Sequence, residues 1–364
     1  MNEAQEEFQV SLEEEELLRV MQMLAAAILP MVMKTAIELD LFEIMVKVNN
    51  GGGEFTSSDI VSHLPARNSQ TIFKIERILK YLASKSILTS KIVTDQNEDT
   101  KKLYSMTRIC KYFVNNEDGV SFANFFLFQN DEVFTESWYY LKDAILEGGT
   151  PFDKAHGENI FTYLAKDKRF SEIFNKAMYS NTAILMKMVL EKYKGFEGVE
   201  EVVDVGGGLG ATLGIIRSKY PNIKGVNFDM PHVLKDAPQC PGVKHVGGDM
   251  FQSVPKGDVI FMKWILHDWG DDYCIKLLKN CWAALPEYGK VVVLETIVPN
   301  QQLPENGKTN VMSNLDGDMV MLAINPGGKE RTAREYEALA IESGFASSKI
   351  VCGVSFYSIM EFYK

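Results

Sequence analysis

The most constraining feature of this chain is the nine-residue segment VVDVGGGLG, which runs from Val202 to Gly210. An apolar run with one acidic residue leads directly into a group of four glycines, and the helix-compatible segment ATLGIIRSKY follows. This pattern is typical of a strand that turns sharply into a helix, where glycines let backbone N–H groups approach a polar or anionic ligand. Asp229 ends the next apolar run, where a carboxylate can accept hydrogen bonds from both hydroxyls of a ribose. The pattern predicts a nucleotide-cofactor site.

The glycine spacing alone leaves two cofactor classes open. Gly206-x-Gly208-x-x-Ala211 satisfies the dinucleotide fingerprint, with Asp229 as the acidic residue downstream. Gly206-x-Gly208-x-Gly210 equally satisfies the looser glycine loop of S-adenosylmethionine (AdoMet) enzymes. A nicotinamide-dependent oxidoreductase normally opens its chain with this turn, whereas here the turn begins only after residue 200, and no Tyr-x-x-x-Lys pair stands out.

Charge and cysteine usage exclude several classes of partner. The net charge of -11 argues against nucleic-acid or anionic-membrane binding, which normally needs a basic surface. The five cysteines show no CxxC pairing and fit a reducing cytosol. The acidic N-terminus lacks the cationic start of a signal peptide, and the apolar stretch MQMLAAAILPMVM is too short for a bilayer span. We therefore expect a cytoplasmic protein.

The chain divides into two predicted domains, residues 1–115 and 116–364. In the first, LLRVMQMLAAAILPMVMKTAIELDLFEIMVK is apolar on nearly every face, which predicts a helix buried on all sides and favours a partner subunit. A short helix capped by Thr56–Asp59, a second amphipathic helix and a hairpin follow, and this order is the outline of a winged helix. Because a dense Lys/Arg stripe is missing from this segment, DNA binding is disfavoured.

Residues 116–200 are predicted to be helical and rich in aromatic side chains that can line a pocket for a flat substrate. From residue 201 to 364, short apolar strands alternate with helices, which is typical of a doubly wound, Rossmann-like α/β sheet. Asp229, Asp249 and His267 all follow apolar strands, so they are expected to meet beyond the carboxyl ends of those strands. Pro299–Thr309 is predicted to be a flexible surface loop.

Six segments in order resemble the plant small-molecule O-methyltransferases of the caffeic acid O-methyltransferase type: VVDVGGGLG, IKGVNFDMPHV, PGVKHVGGDMF, FMKWILHDWGDD, KNCWAALPEYGKVVVLE and NPGGKERT. The resemblance covers nearly the whole chain. It implies a class I methyltransferase fold with AdoMet as cofactor, a winged-helix-like dimerisation domain, a homodimer, and methylation of a phenolic hydroxyl. No metal is expected, because nothing resembles a His/Cys ligand cluster.

The resemblance also implies roles for particular residues. The cofactor would be bound at the glycine turn, on the ribose, around the adenine and at the amino-acid end by Gly206, Asp229, Asp249, Met250, Lys263 and Trp269. His267, in the segment HDW, would act as the base that deprotonates the acceptor. Glu295 and Glu330 would orient His267 and favour its protonated form, as a carboxylate does in a catalytic triad.

The acceptor pocket is where the resemblance is weakest. By family position it would be lined by Phe128, Gln129, Phe134, Ile160, Leu164, Phe170, Phe174, Met178, Asn181, Val320, Met321 and Asn325. Phe128 stands where methionine is common, Gln129 where asparagine is common, and Leu164 and Asn181 where histidine is often found. These departures favour a larger or less acidic phenol, such as a lignan, phenylpropene, flavonoid or benzylisoquinoline. Methylation of caffeate or 5-hydroxyferulate in lignin biosynthesis remains the alternative, and a non-catalytic partner subunit is a further one.

Overall fold

A computed structural model describes residues 11–49, 53–65, 68–94, 100–299 and 309–364, with side chains from residue 314 onward in the last range. The described residues up to Asn130 form one compact unit, and Asp131–Lys364 form a second. This division falls after residue 130, whereas the sequence predicts a domain boundary after residue 115, and that boundary stays a prediction. Positions 300–308 of the predicted surface loop lie outside the described residues.

The first unit contains six helices, a hairpin and a 3-10 turn among its described residues. The helices are α1 (Leu12–Leu24), α2 (Ile28–Glu38), α3 (Leu41–Val48), α4 (Ser57–Val61), α5 (Thr71–Ser84) and α6 (Ala123–Gln129), the hairpin strands are β1 (Leu88–Thr94) and β2 (Thr100–Met106), and the 3-10 turn is Arg108–Tyr112. The predicted cap of α4 is confirmed: Thr56 and Asp59 form a reciprocal capping box. The α4–α5–hairpin order confirms the winged-helix outline.

The prediction of one buried N-terminal helix is wrong in two respects. The apolar stretch, residues 17–47, spans the three helices α1, α2 and α3, and Pro30 lies in the first turn of α2, where its missing N–H leaves no hydrogen bond unmade. Helix α1 buries none of its residues, and Leu12 is 80% exposed. Among the described residues no single helix is long and apolar enough to cross a membrane, although the bent pair α1–α2 passes on length and composition.

The second unit is built on a mixed sheet. Its parallel part comprises β3 (Glu201–Val205), β4 (Lys224–Asp229), β5 (Val243–Gly247), β6 (Val259–Lys263) and β7 (Lys290–Val298), with the short β8 (Arg331–Thr332) also parallel to β7. Antiparallel to these, β10 (Tyr357–Tyr363) pairs with both β7 and β9 (Ser347–Val354), so the order is β5-β4-β3-β6-β7-β10-β9. The predicted doubly wound α/β sheet is confirmed, and the single C-terminal strand that the sequence suggested is a hairpin.

Helices precede the sheet and cover it. They are α7 (Glu132–Glu136), α8 (Leu141–Glu147), α9 (Pro151–His156), α10 (Ile160–Lys166), α11 (Lys168–Lys192), α12 (Ala211–Lys219), α13 (Pro231–Leu234), α14 (Asp271–Ala284), α15 (Thr309–Ile324) and α16 (Ala333–Glu342), with 3-10 turns at Ser137–Tyr140 and Leu266–Asp268. The central strands are buried on both faces, as parallel strands between helices must be, and two apolar clusters fill these layers. The order reverses between β3 and β6, which brings the ends of β3, β4 and β6 around one crevice.

Candidate active site

The glycine turn between β3 and α12 is shaped by two different requirements. Gly206 has a φ of +69° and Gly208 a φ of +54°, a region in which residues with a side chain are strained. Gly207 is restricted by space instead, because a Cβ there would overlap Asn227 Oδ1 and lie 2.6 Å from Asp204 Oδ2. A Cβ on Gly208 would meet no atom within 4 Å. The turn therefore packs its backbone against the next strand and leaves the Gly208 side open.

Asp229, at the end of β4, ties this turn in place. Its Oδ2 accepts a hydrogen bond from the Gly208 N–H at 2.8 Å, and its Oδ1 accepts one from the Met230 N–H at 2.7 Å. Burial raises the pKa of Asp229, and these two hydrogen bonds oppose that rise. Each carboxylate oxygen retains a lone pair for a further donor. The geometry is thus compatible with the predicted hydrogen bonds to ribose hydroxyls.

A buried acid and a half-buried lysine lie beside the turn. Asp204 is 2% exposed, and its Oδ2 has no hydrogen-bond partner in the described part of the chain. Burial raises the pKa of Asp204 to about 7, against a hydrogen bond from Thr212 and the charge of Lys263. Burial lowers the pKa of Lys263 to about 8, although neighbouring carboxylates oppose this. Sequence reasoning missed Asp204 as a site residue, and its signal was an acid inside an otherwise apolar strand.

An aromatic wall completes this end of the site. Trp269 stacks on Phe161 with ring centroids 5.5 Å apart and planes 14° apart, and Phe251 meets Trp269 edge-on at 4.8 Å. Asp249 Oδ1 accepts a hydrogen bond from the Phe251 N–H at 2.9 Å, which orders the adjoining loop. The predictions did not include Phe161 or Phe251.

These elements surround one cavity of about 610 Å³. All six residues predicted to bind the cofactor line it: Gly206, Asp229, Asp249, Met250, Lys263 and Trp269. Of the residues predicted for the acceptor, Leu164, Phe174 and Met178 also line it. The structure therefore brings together side chains that the sequence places more than 100 residues apart.

The other predicted acceptor residues are not on the wall of this cavity. Phe134, Ile160, Phe170, Asn181, Met321 and Asn325 are buried, Val320 is half-buried, and Phe128 and Gln129 belong to the first unit. Asn325 has a specific contact, because its Nδ2 donates to Asp268 Oδ1 at 2.6 Å. The acceptor roles of all these residues stay predictions.

His267 sits among carboxylates on the 3-10 turn that follows β6. Its Nδ1 donates a hydrogen bond to Glu330 Oε1 at 2.9 Å, while Glu295 Oε2 lies 3.8 Å from Nδ1 and Asp268 Oδ1 lies 3.5 Å from Nε2. His267 is 6% exposed and does not itself line the cavity, but its neighbour Asp268 does. The three predicted residues His267, Glu295 and Glu330 therefore form one cluster.

The net electrostatic effect favours a charged imidazole. Burial lowers the pKa of His267, but the charges of Glu295, Asp268 and Glu330 outweigh it and raise the pKa to about 10. Burial also raises the pKa of Glu295 to about 7 and that of Asp268 to about 6, with the imidazolium opposing both shifts. At neutral pH the cluster therefore holds a proton on His267.

The two glutamates have different tasks. Glu330 contacts the imidazole directly, and its own N–H is held by Asp318 Oδ1 at 2.9 Å. Glu295 instead accepts the backbone N–H groups of Ile265 and Leu266 through Oε1, each at 2.9 Å. Glu295 thus fixes the start of the turn that carries His267, and it acts on the imidazole by charge rather than by a hydrogen bond.

The same cluster is the one group among the described residues with metal-binding geometry, since ligand atoms of His267, Glu295 and Glu330 lie within 4.8 Å of one another. Nδ1 of His267 is already hydrogen-bonded to Glu330. The predicted independence from metal stays a prediction, and chelation tests it.

Comparison with known proteins identifies the family. Residues 138–346 match the family model for the O-methyltransferase domain, and residues 21–116 match that for the O-methyltransferase dimerisation domain. The chain belongs to the O-methyltransferase family. It is 52% identical to a caffeic acid 3-O-methyltransferase of Rosa chinensis over 97% of this chain and 95% of that protein. It is 50% identical to an (iso)eugenol O-methyltransferase of Clarkia breweri over the same shares of the two chains.

Solved structures share the fold at lower identity. Human N-acetylserotonin methyltransferase superimposes with a TM-score of 0.80 at 20% identity, covering 100% of this chain and 99% of that one. The mitomycin 7-O-methyltransferase MmcR gives a TM-score of 0.75 at 23% identity, covering 97% and 98%. These likenesses confirm the methyltransferase fold with its N-terminal helical domain.

Proposed function

We propose that this enzyme transfers the methyl group of AdoMet to a phenolic hydroxyl of a plant secondary metabolite, without a metal. The observation that carries the proposal is the carboxylate-surrounded His267 next to a cavity that begins at a glycine turn. The relatives named for caffeic acid and (iso)eugenol support a phenolic acceptor. When bound, AdoMet supplies an electrophilic methyl group on its sulfonium.

The cavity suits a nucleoside with an amino-acid tail. The glycine turn leaves the Gly208 side open, and Asp229 has spare lone pairs for ribose hydroxyls. Trp269 and Met250 offer apolar contact for a flat base, and Asp249 offers an acceptor for its amino group. The orphaned carboxylate oxygen of Asp204 would pair with the ammonium group of the amino-acid tail, and the ammonium of Lys263 would pair with its carboxylate.

The proposed work of His267 is to stabilise the acceptor as a phenolate. An unperturbed imidazolium titrates near 6.5 and a phenol near 10, so transfer of the proton between them costs about 5 kcal/mol. The carboxylates around His267 raise its pKa to about 10, so at neutral pH the imidazole already carries a proton; the phenol then releases its own proton to solvent, and the imidazolium stabilises the phenolate that remains. The chain therefore supplies a proton-holding group matched to the acceptor, and oxygen attack follows from alignment.

The charges around the cavity favour an acceptor without a carboxylate. Among the described lining residues five are aspartates, and Lys263 is the one lysine or arginine. On the acceptor side Leu164, Phe174 and Met178 give apolar contact, and the polar side chains beside them, such as Asn175 and Thr182, are neutral, so no cation among these described residues would pair with a carboxylate. We therefore place neutral phenols ahead of caffeate, which remains the alternative.

We also infer that the protein is a cytoplasmic homodimer. Matching of residues 21–116 to the dimerisation-domain family and the exposed apolar side chains of α1 support the dimer. Sedimentation equilibrium on the full chain tests this, and a stable monomer at micromolar concentration would contradict it.

The deciding experiment measures methyl transfer from labelled AdoMet by the purified protein alone. The acceptors are matched pairs that differ only in the carboxyl group, namely caffeic acid with its aldehyde and alcohol, besides (iso)eugenol, flavonoids, lignans and benzylisoquinolines. We expect a methylated product, and we expect the neutral member of each pair to be preferred. His267→Gln should lose this activity and still bind AdoMet. AdoMet binding without transfer to any acceptor would favour a non-catalytic partner subunit, and nicotinamide binding would favour an oxidoreductase.

A further inference from the structure

We propose that Arg331 is a positioning residue whose guanidinium clamps both ends of the turn that carries His267 and Asp268. The inference rests on the proposed function, because it concerns the geometry of the proposed methyl transfer. Arg331 does not line the cavity, and although it lies in the segment NPGGKERT, the sequence alone assigns it no role.

The clamp consists of hydrogen bonds to two backbone carbonyls. Arg331 is 0% exposed. Its Nη1 donates to the Leu266 carbonyl at 2.7 Å, and its Nη2 donates to the Trp269 carbonyl at 2.7 Å. These carbonyls belong to the residues on either side of the His267–Asp268 pair. The guanidinium therefore sets the distance between the two ends of the turn.

Asp271 fixes the direction of this fork. Its Oδ1 accepts from Arg331 Nε at 3.0 Å and from Nη2 at 2.6 Å. Asp271 is the first residue of α14, so the fork is anchored to a helix that starts just after the turn. A planar guanidinium can meet all these acceptors at once, whereas a lysine ammonium on a flexible stem cannot hold them in one plane.

The neighbouring residue makes the clamp relevant to the imidazole. Glu330 accepts the His267 Nδ1 hydrogen bond, and Arg331 directly follows it in the chain. The N–H groups at the start of the turn are held by Glu295, and the His267 carbonyl accepts from the Lys329 N–H at 2.9 Å. One dipeptide thus fixes both the imidazole and the backbone that carries it. If the clamp loosens, the Nδ1–Oε1 distance can no longer be held at 2.9 Å.

The test compares Arg331→Lys and Asp271→Asn with Glu361→Gln as a matched control. Glu361 is likewise buried in a charged network, where it accepts from Lys290 Nζ and Tyr193 Oη, each at 2.5 Å, and none of these bonds reaches the turn. Asp271 has a 55% exposed side chain, so Asp271→Asn is expected to fold, and it removes the charge that anchors the fork while the amide oxygen can still accept a hydrogen bond. Thermal unfolding and the pH dependence of kcat are measured for all three variants and the unchanged protein.

We expect kcat at pH 7.5 to fall at least tenfold in Arg331→Lys, because this substitution removes hydrogen bonds to the turn itself. In Asp271→Asn we expect a fall of about threefold, because only the charge that orients the guanidinium is lost. The pH at which kcat stops rising should move to lower values in both, since a more distant Glu330 supports the imidazolium less. Glu361→Gln should lower the unfolding temperature without changing kcat or its pH profile.

Two results would overturn the inference. One is an Arg331→Lys enzyme with kcat within twofold of the unchanged protein. The other is a fall in kcat without a shift of its pH profile, if Glu361→Gln shows the same fall in kcat when its unfolding temperature is lowered by the same amount. If Arg331→Lys does not fold, Asp271→Asn decides by the same criteria. An unchanged protein that transfers no methyl group would instead refute the proposed function.

Discussion

Replacing Glu330 by glutamine tests whether the carboxylates around His267 act through charge. The amide oxygen of the introduced glutamine could still accept the Nδ1 hydrogen over a distance like the present 2.9 Å, so the imidazole keeps its orientation and loses one negative neighbour. A hydrogen bond with a charged partner contributes about 1.5–3 kcal/mol and a neutral one about 0.5–1.5 kcal/mol. The difference of about 1–1.5 kcal/mol corresponds to about one pKa unit. The pKa of His267 should therefore fall from about 10 by roughly that amount.

The consequence depends on pH in a way that can be worked out. At pH 7.5 His267 is protonated in both proteins, and the amount of phenolate beside the imidazolium depends only on the pKa of the phenol, about 10. Activity at pH 7.5 should then change by less than about threefold. As pH rises, the variant loses its imidazolium first, so its kcat should level off about one pH unit earlier than that of the unchanged protein.

The assay is kcat with labelled AdoMet and a neutral guaiacol between pH 6 and 9.5, with saturation by both substrates checked at each pH. Asp318→Asn is the control variant. It removes the negative charge of Asp318, whose Oδ1 accepts a hydrogen bond from the Glu330 N–H, and it leaves the charge of Glu330 in place. A loss of more than tenfold at pH 7.5 with an unmoved pH profile would refute the electrostatic argument and assign Glu330 an orienting role alone.

Three further predictions concern the cofactor end and the metal question. Gly207→Ala should lower stability by about 1–3 kcal/mol through overlap with its neighbours and leave AdoMet affinity less affected. Gly208→Ala should cost about 1 kcal/mol of stability through its φ of +54° and, because its Cβ points into open space, should weaken AdoMet binding more than Gly207→Ala does. Calorimetry measures both effects, and a larger loss of AdoMet affinity in Gly207→Ala would contradict the prediction. Asp229→Asn should weaken AdoMet binding at least tenfold, because an amide nitrogen cannot accept the hydrogen bonds that the carboxylate now accepts; an unchanged Kd would remove Asp229 from the ribose site. Methyl transfer should survive EDTA, and activity restored only by an added divalent cation would instead make the His267 cluster a metal site.

Local patterns predicted much of the fold, because they are set by neighbouring residues. The strands β6 and β7 are largely continuous apolar runs, and the capping box of α4 is readable within four residues. Helix α15 was not predicted: TNVMSNLDGDMVMLAI has no clear apolar face and contains Gly317. The C-terminal turn was also missed, since Ser355 adopts a φ of +56°, which sequence periodicity does not reveal.

The sequence predicted the site residues that follow the end of a strand. It did not predict the hydrogen bonds between residues that are far apart in the chain. Asp229, Asp249 and His267 follow apolar strands, so their convergence could be expected from the topology. The bonds of Glu295 to the Ile265 and Leu266 N–H groups and those of Arg331 to the turn join segments 29 to 65 residues apart. Only the packed structure distinguishes a glutamate that contacts the imidazole from one that holds its backbone.

The raised pKa of His267 increases the fraction of sites that hold an imidazolium beside a phenolate. This increase is modest at neutral pH and large only in alkaline solution. At pH 7.5, with an imidazole pKa of about 6.5 and a phenol pKa of about 10, about one site in 3,000 would hold an imidazolium beside a phenolate. With an imidazole pKa of about 10, about one site in 300 does. The carboxylates therefore raise the population of the imidazolium–phenolate pair about tenfold at pH 7.5, which corresponds to about 1.4 kcal/mol. This factor grows with pH until His267 itself loses its proton. Most of the rate enhancement must then come from alignment of the acceptor oxygen, for which a rigid turn around His267 matters more than any single charge.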